Sequence, residues 1–201
     1  MLNQIRPALV MIVLLTIITG IAYPFAMTGV TQGLFPSQAN GSLVKRADGT
    51  VIGAALIGQN FTEDKYFHGR LSATSDTDPN DPTKTIAAPY NAANSAGSNL
   101  GPTSQALSDR VKGDVAALAA QGISNPPVDM VTSSASGLDP DISPANAELQ
   151  IARVATARNL PPDQVRQAVS QATSGRLLGL IGEPRVNVLR LNMLLDGLKA
   201  S

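Results

Sequence analysis

The sequence predicts a mixed α/β (α+β) extracytoplasmic domain anchored by one N-terminal transmembrane helix. Three observations lead there. No charged side chain lies between Arg6 and Lys45. Beyond that stretch, amphipathic helical stripes alternate with a few short strand signals. Asp48-Gly49 sits between two apolar runs, a strong hairpin signature because the turn requires positive φ.

The apolar run fixes the organisation of the chain. A hydrocarbon core needs about 20 helical residues, and residues 8–30 supply them. Pro7 suits the first helical turn, where a missing N–H costs nothing. Pro24 disfavours helical geometry at Tyr23 and removes a donor, so a kink is expected there, with the helix running on towards Met27 or Val30. A cleaved signal peptide is the competing reading, but Tyr23-Pro24-Phe25 follows the run where small residues in an Ala-x-Ala pattern are expected. Arg6 precedes the span and Lys45 lies far beyond it. The positive-inside rule therefore puts residues 1–7 in the cytoplasm and the rest outside a cell membrane crossed once.

The expected division is the span at 8–30, a juxtamembrane linker at 31–41 and an extracytoplasmic domain at 42–201. That domain is long enough for one core. Lys plus Arg and Asp plus Glu number 15 each, which leaves no basic field for nucleic acid. Cysteine is absent, excluding disulfides, thiolate metal sites and a Cys nucleophile. With no Trp, three Tyr and four Phe, the core must come mainly from Ala, Val, Leu and Ile.

In order along the chain, residues 42–45 and 51–57 read as the hairpin's strands. Ser42 and Lys45 also form a Ser-x-x-Lys, but the Ser-Asp-Asn and Lys-Thr-Gly elements of that chemistry are missing. Residues 71–103 are rich in Gly, Pro, Asn, Asp and Ser and read as one long loop. Its acidic cluster at Asp76, Asp78, Asn80 and Asp81 lacks the Gly and Glu of an EF-hand, so it reads as a solvated turn. Leu107, Val111, Val115 and Leu118 define a helix over 105–121, capped by Ser104 or Thr103. Residues 128–131 read as a short strand. Ser143-Pro144 opens a helix to about Arg158, Pro161-Pro162-Asp163 another that closes near Gly175, and Leu191, Leu194, Leu195 and Leu198 mark the last. Residues 186–188 read as a strand end.

Several stretches together resemble the signatures of one family. Ala55-Leu56-Ile57-Gly58-Gln59-Asn60-Phe61, Tyr66-Phe67-His68-Gly69-Arg70, Gly97-Ser98-Asn99-Leu100-Gly101-Pro102, residues 136–144 and residues 182–189 are similar to motifs of the C subunit of the Kdp potassium-transporting ATPase. The resemblance covers essentially the whole chain. Asp141 and Ala172 stand where the family usually has His, and Ala96 where it has Gly. What it implies is an accessory, non-catalytic subunit of a P-type ATPase complex. Its partners would be a channel-like potassium-translocating subunit and a P-type ATPase subunit, besides membrane lipid. The family's C subunit is held to support assembly and to assist ATP use.

On the residues themselves, no phosphate-binding loop and no metal cluster is evident, and the one His, His68, has no obvious charge partner. Catalytic residues are therefore not expected in this chain, and ATP and Mg would enter only through the complex. If the domain lies outside, where ATP is scarce, an effect transmitted through partner contacts is favoured over a shared ATP site. Candidate interface residues are Tyr66, Phe67, His68, Arg70, Ser98, Asn99, Leu100, Asp139 and Arg153, with residues 71–103 as the docking surface, because aromatics and Arg dominate interface hot spots. Each has packing within the domain as the alternative. Asp139 either caps its bend or pairs with Arg153. Thr16, Thr19, Gly20 and Ala22 would let a partner helix approach closely. The alternative to the accessory subunit is an autonomous membrane-anchored extracytoplasmic enzyme or binding domain.

Overall fold

A computed structural model describes residues 2–46 and 48–197. The chain divides into two compact units, residues 1–43 and 44–201.

The first unit is dominated by one helix, Ile5–Leu34, long and apolar enough to cross a bilayer. It consists of α1 (Ile5–Ile17), a π-turn (Ile18–Ala22) and α2 (Tyr23–Leu34). The π-turn answers Pro24. In an α-helix the pyrrolidine ring collides with the carbonyl four residues back, and opening one turn to wider bonds relieves this without ending the helix. Tyr23 N–H accordingly donates to Ile18 O, five residues back. The expected continuation past Pro24 is thus longer than the sequence suggested. A short helix, α3 (Pro36–Ala39), follows, and the side chains of Gln32 and Asn40 bond each other in both directions.

The second unit mixes helices with three small sheets. β1 (Leu43–Lys45) and β2 (Val51–Ala54) form the expected hairpin. Gly49 has φ 85°, Asp48 Oδ1 accepts from Thr50 N–H at 2.9 Å, and Arg46 N–H donates to Thr50 O at 2.9 Å. Residues 71–103 are not the structureless loop read from composition. They contain an antiparallel hairpin, β3 (Ser75–Asp78) and β4 (Asp81–Ala87), whose strands are polar and exposed and so carry no apolar alternation.

α4 (Gln105–Ala120) is capped by Ser104, whose Oγ accepts from Leu107 N–H. Residues 128–131 form a helical turn, α5 (Val128–Val131), in place of the expected strand. Pro127 precedes it with extended backbone and Asp129 lies in its first turn, both of which favour helix entry. α6 (Pro144–Arg158) starts at the Ser143 cap and ends on Asn159 in left-handed geometry. α7 (Pro162–Ala172) stops three residues before Gly175 because Thr173 turns into a strand. α8 (Val188–Leu195) begins earlier than the leucine stripe implied, since the Asn187 side chain caps it at Arg190 N–H. Leu198 lies outside the described residues.

The core of this unit gathers Phe67, Ile142, Ala147, Ile151, Val154 and Ala155 with Val165, Val169, Ala172, Val186, Val188 and Leu191. It lies among α6, α7, α8 and a three-stranded antiparallel sheet ordered β5 (Asp141–Ile142), β7 (Arg185–Asn187), β6 (Thr173–Ser174). The connection from β6 to β7 carries an aliphatic tip. Leu177, Leu178, Leu180 and Ile181 there are 64–85% exposed, and the Arg176–Glu183 ion pair closes its base at 2.7 Å.

Candidate partner-binding surface

The motif around Tyr66–Arg70 is an extended segment held by side chains rather than by neighbouring strands. Asn192 on α8 accepts from Phe67 N–H at 2.8 Å and donates to Phe67 O at 3.0 Å. Gln150 on α6 does the same for His68, at 2.8 and 3.1 Å, and also donates to Asn146. Arg153 donates to Asp64 O and Arg158 to Lys65 O. Two helices thus satisfy backbone groups that burial would otherwise leave orphaned.

Phe67 is 0% exposed, so as an interface candidate it is corrected to a core residue: its side chain has no face left for a partner. Tyr66 stays partly open, with Phe61 tilted against its ring, Lys65 and Arg158 over its face and its hydroxyl 3.3 Å from Asp196.

Arg70 and Asp139 meet at 3.0 Å, and Arg70 also donates to Thr132 Oγ1. Of the two alternatives for Asp139 the bend cap holds, since its Oδ1 accepts from Asp141 N–H at 3.0 Å, and its ion partner is Arg70 rather than Arg153. Arg153 instead lies 3.9 Å from Asp64 and donates to Gln150. The junction is closed by Tyr90, whose hydroxyl donates to Arg70 O at 2.8 Å. Burial, reinforced by the Asp139 charge, pushes the Tyr90 phenol up to about 12.

Two glycines make this packing possible. A Cβ on Gly58 would stand 2.6 Å from Asp139 O and 2.4 Å from the Tyr90 ring, and one on Gly69 would meet the Tyr90 hydroxyl at 2.2 Å. Gly97 and Gly137 play the same part at the next contact, against Ala135 O and Ala96 O. The motif stretches, far apart in sequence, therefore converge. Ser98, Asn99 and Leu100 run out from it. Asn99 is exposed with φ 52° and Leu100 is 39% exposed.

Arg70, Asp139 and Asp141 line an open cleft of about 580 Å³ together with Asp129, Ser143 and Arg185. Asp129 accepts from Ser143 N–H, Ser143 Oγ and Asn146 Nδ2, tying α5 to the start of α6. Asp141 pairs with Arg185 at 3.0 Å and accepts from Asn187, while burial pushes its carboxyl up. Ala172 lies in the core, 1% exposed. Among the described residues no group of three or more His, Asp or Glu is placed to hold a metal ion.

His68 lines a second cavity, of about 530 Å³, with Arg153, Leu71, Leu118 and Met130. Its Nε2 lies 3.2 Å from Glu63 O, which places the proton on Nε2 in the neutral ring. Burial first, then the Arg153 charge, lowers its pKa below 6.5. The folded chain then binds fewer protons than the unfolded one, so this group's contribution is intact above 6.5 and lost as pH falls through the folded value. The chain has one His, so its imidazole resonance is unambiguous. NMR is expected to give a midpoint below 6.5, and a midpoint at or above it would contradict the burial argument.

Sequence reasoning missed Gln150, Asn192, Arg158 and Tyr90. The available signal was the placement of amides on otherwise apolar helix faces, Asn146 and Gln150 one turn apart and Asn192 between Leu191 and Met193.

The sequence model of the family described as "KdpC: K+-transporting ATPase, c chain" matches residues 5–197. The chain is 64% identical over 200 residues to a "Potassium-transporting ATPase KdpC subunit" of Bradyrhizobium diazoefficiens, covering 98% of each chain. It is 63% identical over 196 residues to the protein of the same description from Methylorubrum extorquens, covering 97% of each. A third, from Rhodopseudomonas palustris strain BisB5, is 64% identical over 197 residues, with 98% of each covered.

Proposed function

Since the chain belongs to the KdpC family, the c chains of K+-transporting ATPases, we propose that it is an accessory subunit that holds the potassium import complex together. The observation that carries this reading is the family match over residues 5–197. In this reading the helix Ile5–Leu34 anchors the chain in the cell membrane with its N-terminus inside, and residues 44–201 lie outside. That unit contacts a channel-like translocating subunit and a P-type ATPase subunit.

Tyr66, His68, Arg70, Ser98, Asn99, Leu100, Asp139 and Arg153 remain the proposed contact region. Packing supports a scaffolding role there. The Arg70–Asp139–Tyr90 junction ties three chain segments into a fixed surface, which limits the ordering cost of docking. Any effect on ATP use then passes through partner contacts, and nucleotide and Mg are held by the pump.

The test is mild-detergent purification from potassium-starved cells through a tag after Ser201. Two large membrane proteins are expected to co-elute, with potassium-stimulated ATP hydrolysis that the isolated chain lacks. Elution of the chain alone, from cells shown to make those partners, defeats the proposal and favours an autonomous membrane-anchored domain.

A further inference from the structure

The π-turn leaves the membrane helix short of hydrogen-bond donors. In α-helical register the carbonyls of Thr19 and Gly20 accept from the N–H groups of residues 23 and 24. Tyr23 N–H goes instead to Ile18 O, and Pro24, five residues after Thr19, has no N–H to give, so Thr19 O lacks a donor in either register, whereas for Gly20 O the wider register offers Phe25 N–H. The hydroxyls nearby are directed elsewhere: Thr19 Oγ1 donates to Leu15 O at 2.7 Å and Thr28 Oγ1 to Pro24 O at 2.8 Å. Lipid tails have no donor to offer, and an unpaired carbonyl in hydrocarbon is costly. Access is open at this point, because a Cβ placed on Gly20 would meet only Thr16 Cγ2, at 4.0 Å.

We propose that the π-turn at Ile18–Ala22 is the docking point for a hydrogen-bond donor, a hydroxyl or amide side chain, on a transmembrane helix of another subunit of the complex. The inference rests on the accessory-subunit reading above. It assigns that subunit a particular chemistry at one depth of the membrane, where small residues alone would specify only close approach. The partner's donor and the Thr19 carbonyl complete each other, and neither finds a substitute in lipid.

The diagnostic variant is Pro24→Ala, which adds no bulk but restores an N–H at residue 24 and so supplies the missing donor from within the helix. Gly20→Leu is the steric counterpart. Variant and wild-type chains are co-produced with different C-terminal tags, the complex is recovered through a tag on a partner subunit, and the ratio of the two chains is measured. Carbonate extraction confirms insertion.

Pro24→Ala is expected to lower incorporation about three- to tenfold, the usual weight of one interhelical hydrogen bond, and Gly20→Leu to lower it further. If Pro24→Ala competes as well as wild type while Gly20→Leu does not, the contact is packing alone and the donor is refuted. If both compete equally, the turn faces lipid. A Thr16→Cys chain that forms a disulfide with itself in the membrane makes the occupant a second copy, which also overturns the proposal. Wild-type chain absent from the recovered complex would instead refute the accessory-subunit reading itself.

Discussion

Asn192→Leu is expected to destabilise the second unit by about 4 kcal/mol, because it leaves both backbone polar groups of Phe67 without partners in the core. Leu keeps the branching of Asn but is larger, so some overpacking adds to the loss of the hydrogen bonds in a core this tightly closed. Asn192 is 1% exposed and Phe67 fully buried, so water cannot replace what is removed. For a unit of this size the loss corresponds to a fall in Tm of about 10 °C. Thermal unfolding of the full chain in detergent micelles measures it. A fall under about 2 °C would mean that the amide clamp contributes little, since that is below the effect of one ordinary hydrogen bond.

Gly137→Ala is the second large effect, expected to cost about 3 kcal/mol from two causes that add. Gly137 has φ +69°, where a Cβ crowds its own backbone, and that Cβ would stand 2.7 Å from Ala96 O and 2.4 Å from Thr74 Cγ2. Thr74 cannot swing away freely: its hydroxyl donates to Ala88 O and it is 2% exposed. The displacement would therefore spread along 96–98 towards Asn99 and Leu100. A lower urea midpoint for the variant, with m unchanged, is the expected result. Gly101→Ala is the control, because a Cβ there meets nothing within 4 Å and the backbone is not left-handed.

What could be read from the sequence divides along the range of the forces involved. The caps at Ser104 and Ser143, the Asp48-Gly49 turn and the apolar stripe of α6 are decided by residues within one turn of each other, and the structure agrees there. Residues 128–131 failed as a strand because four apolar-rich positions carry no usable period, and Pro127 with Asp129 settled the matter towards helix. The β3–β4 hairpin was invisible because its side chains are mostly Ser, Asp, Thr and Lys, and even Ile86 is 42% exposed, so no face is turned to a core. Phe67 was read as an exposed anchor since nothing near it in sequence reveals that α6 and α8 enclose it. Nor could the glycine spacing disclose that Gly58 and Gly69 close on the same Tyr90 ring.

The clamp on Phe67 has a consequence for the order in which the protein can be made. Asn192 lies 125 residues after the segment it fastens. At roughly 5–20 residues per second, synthesis reaches it on the order of ten seconds later. Until then the largest apolar side chain of the core has no helix α8 to lie beneath, and its backbone has only the Gln150 side to hold. The nascent domain therefore stays open through nearly all of its emergence and closes as its final helix arrives. A chain cut short just after Asn187 would lack the piece that locks the rest, and should be cleared by proteolysis while the intact chain persists.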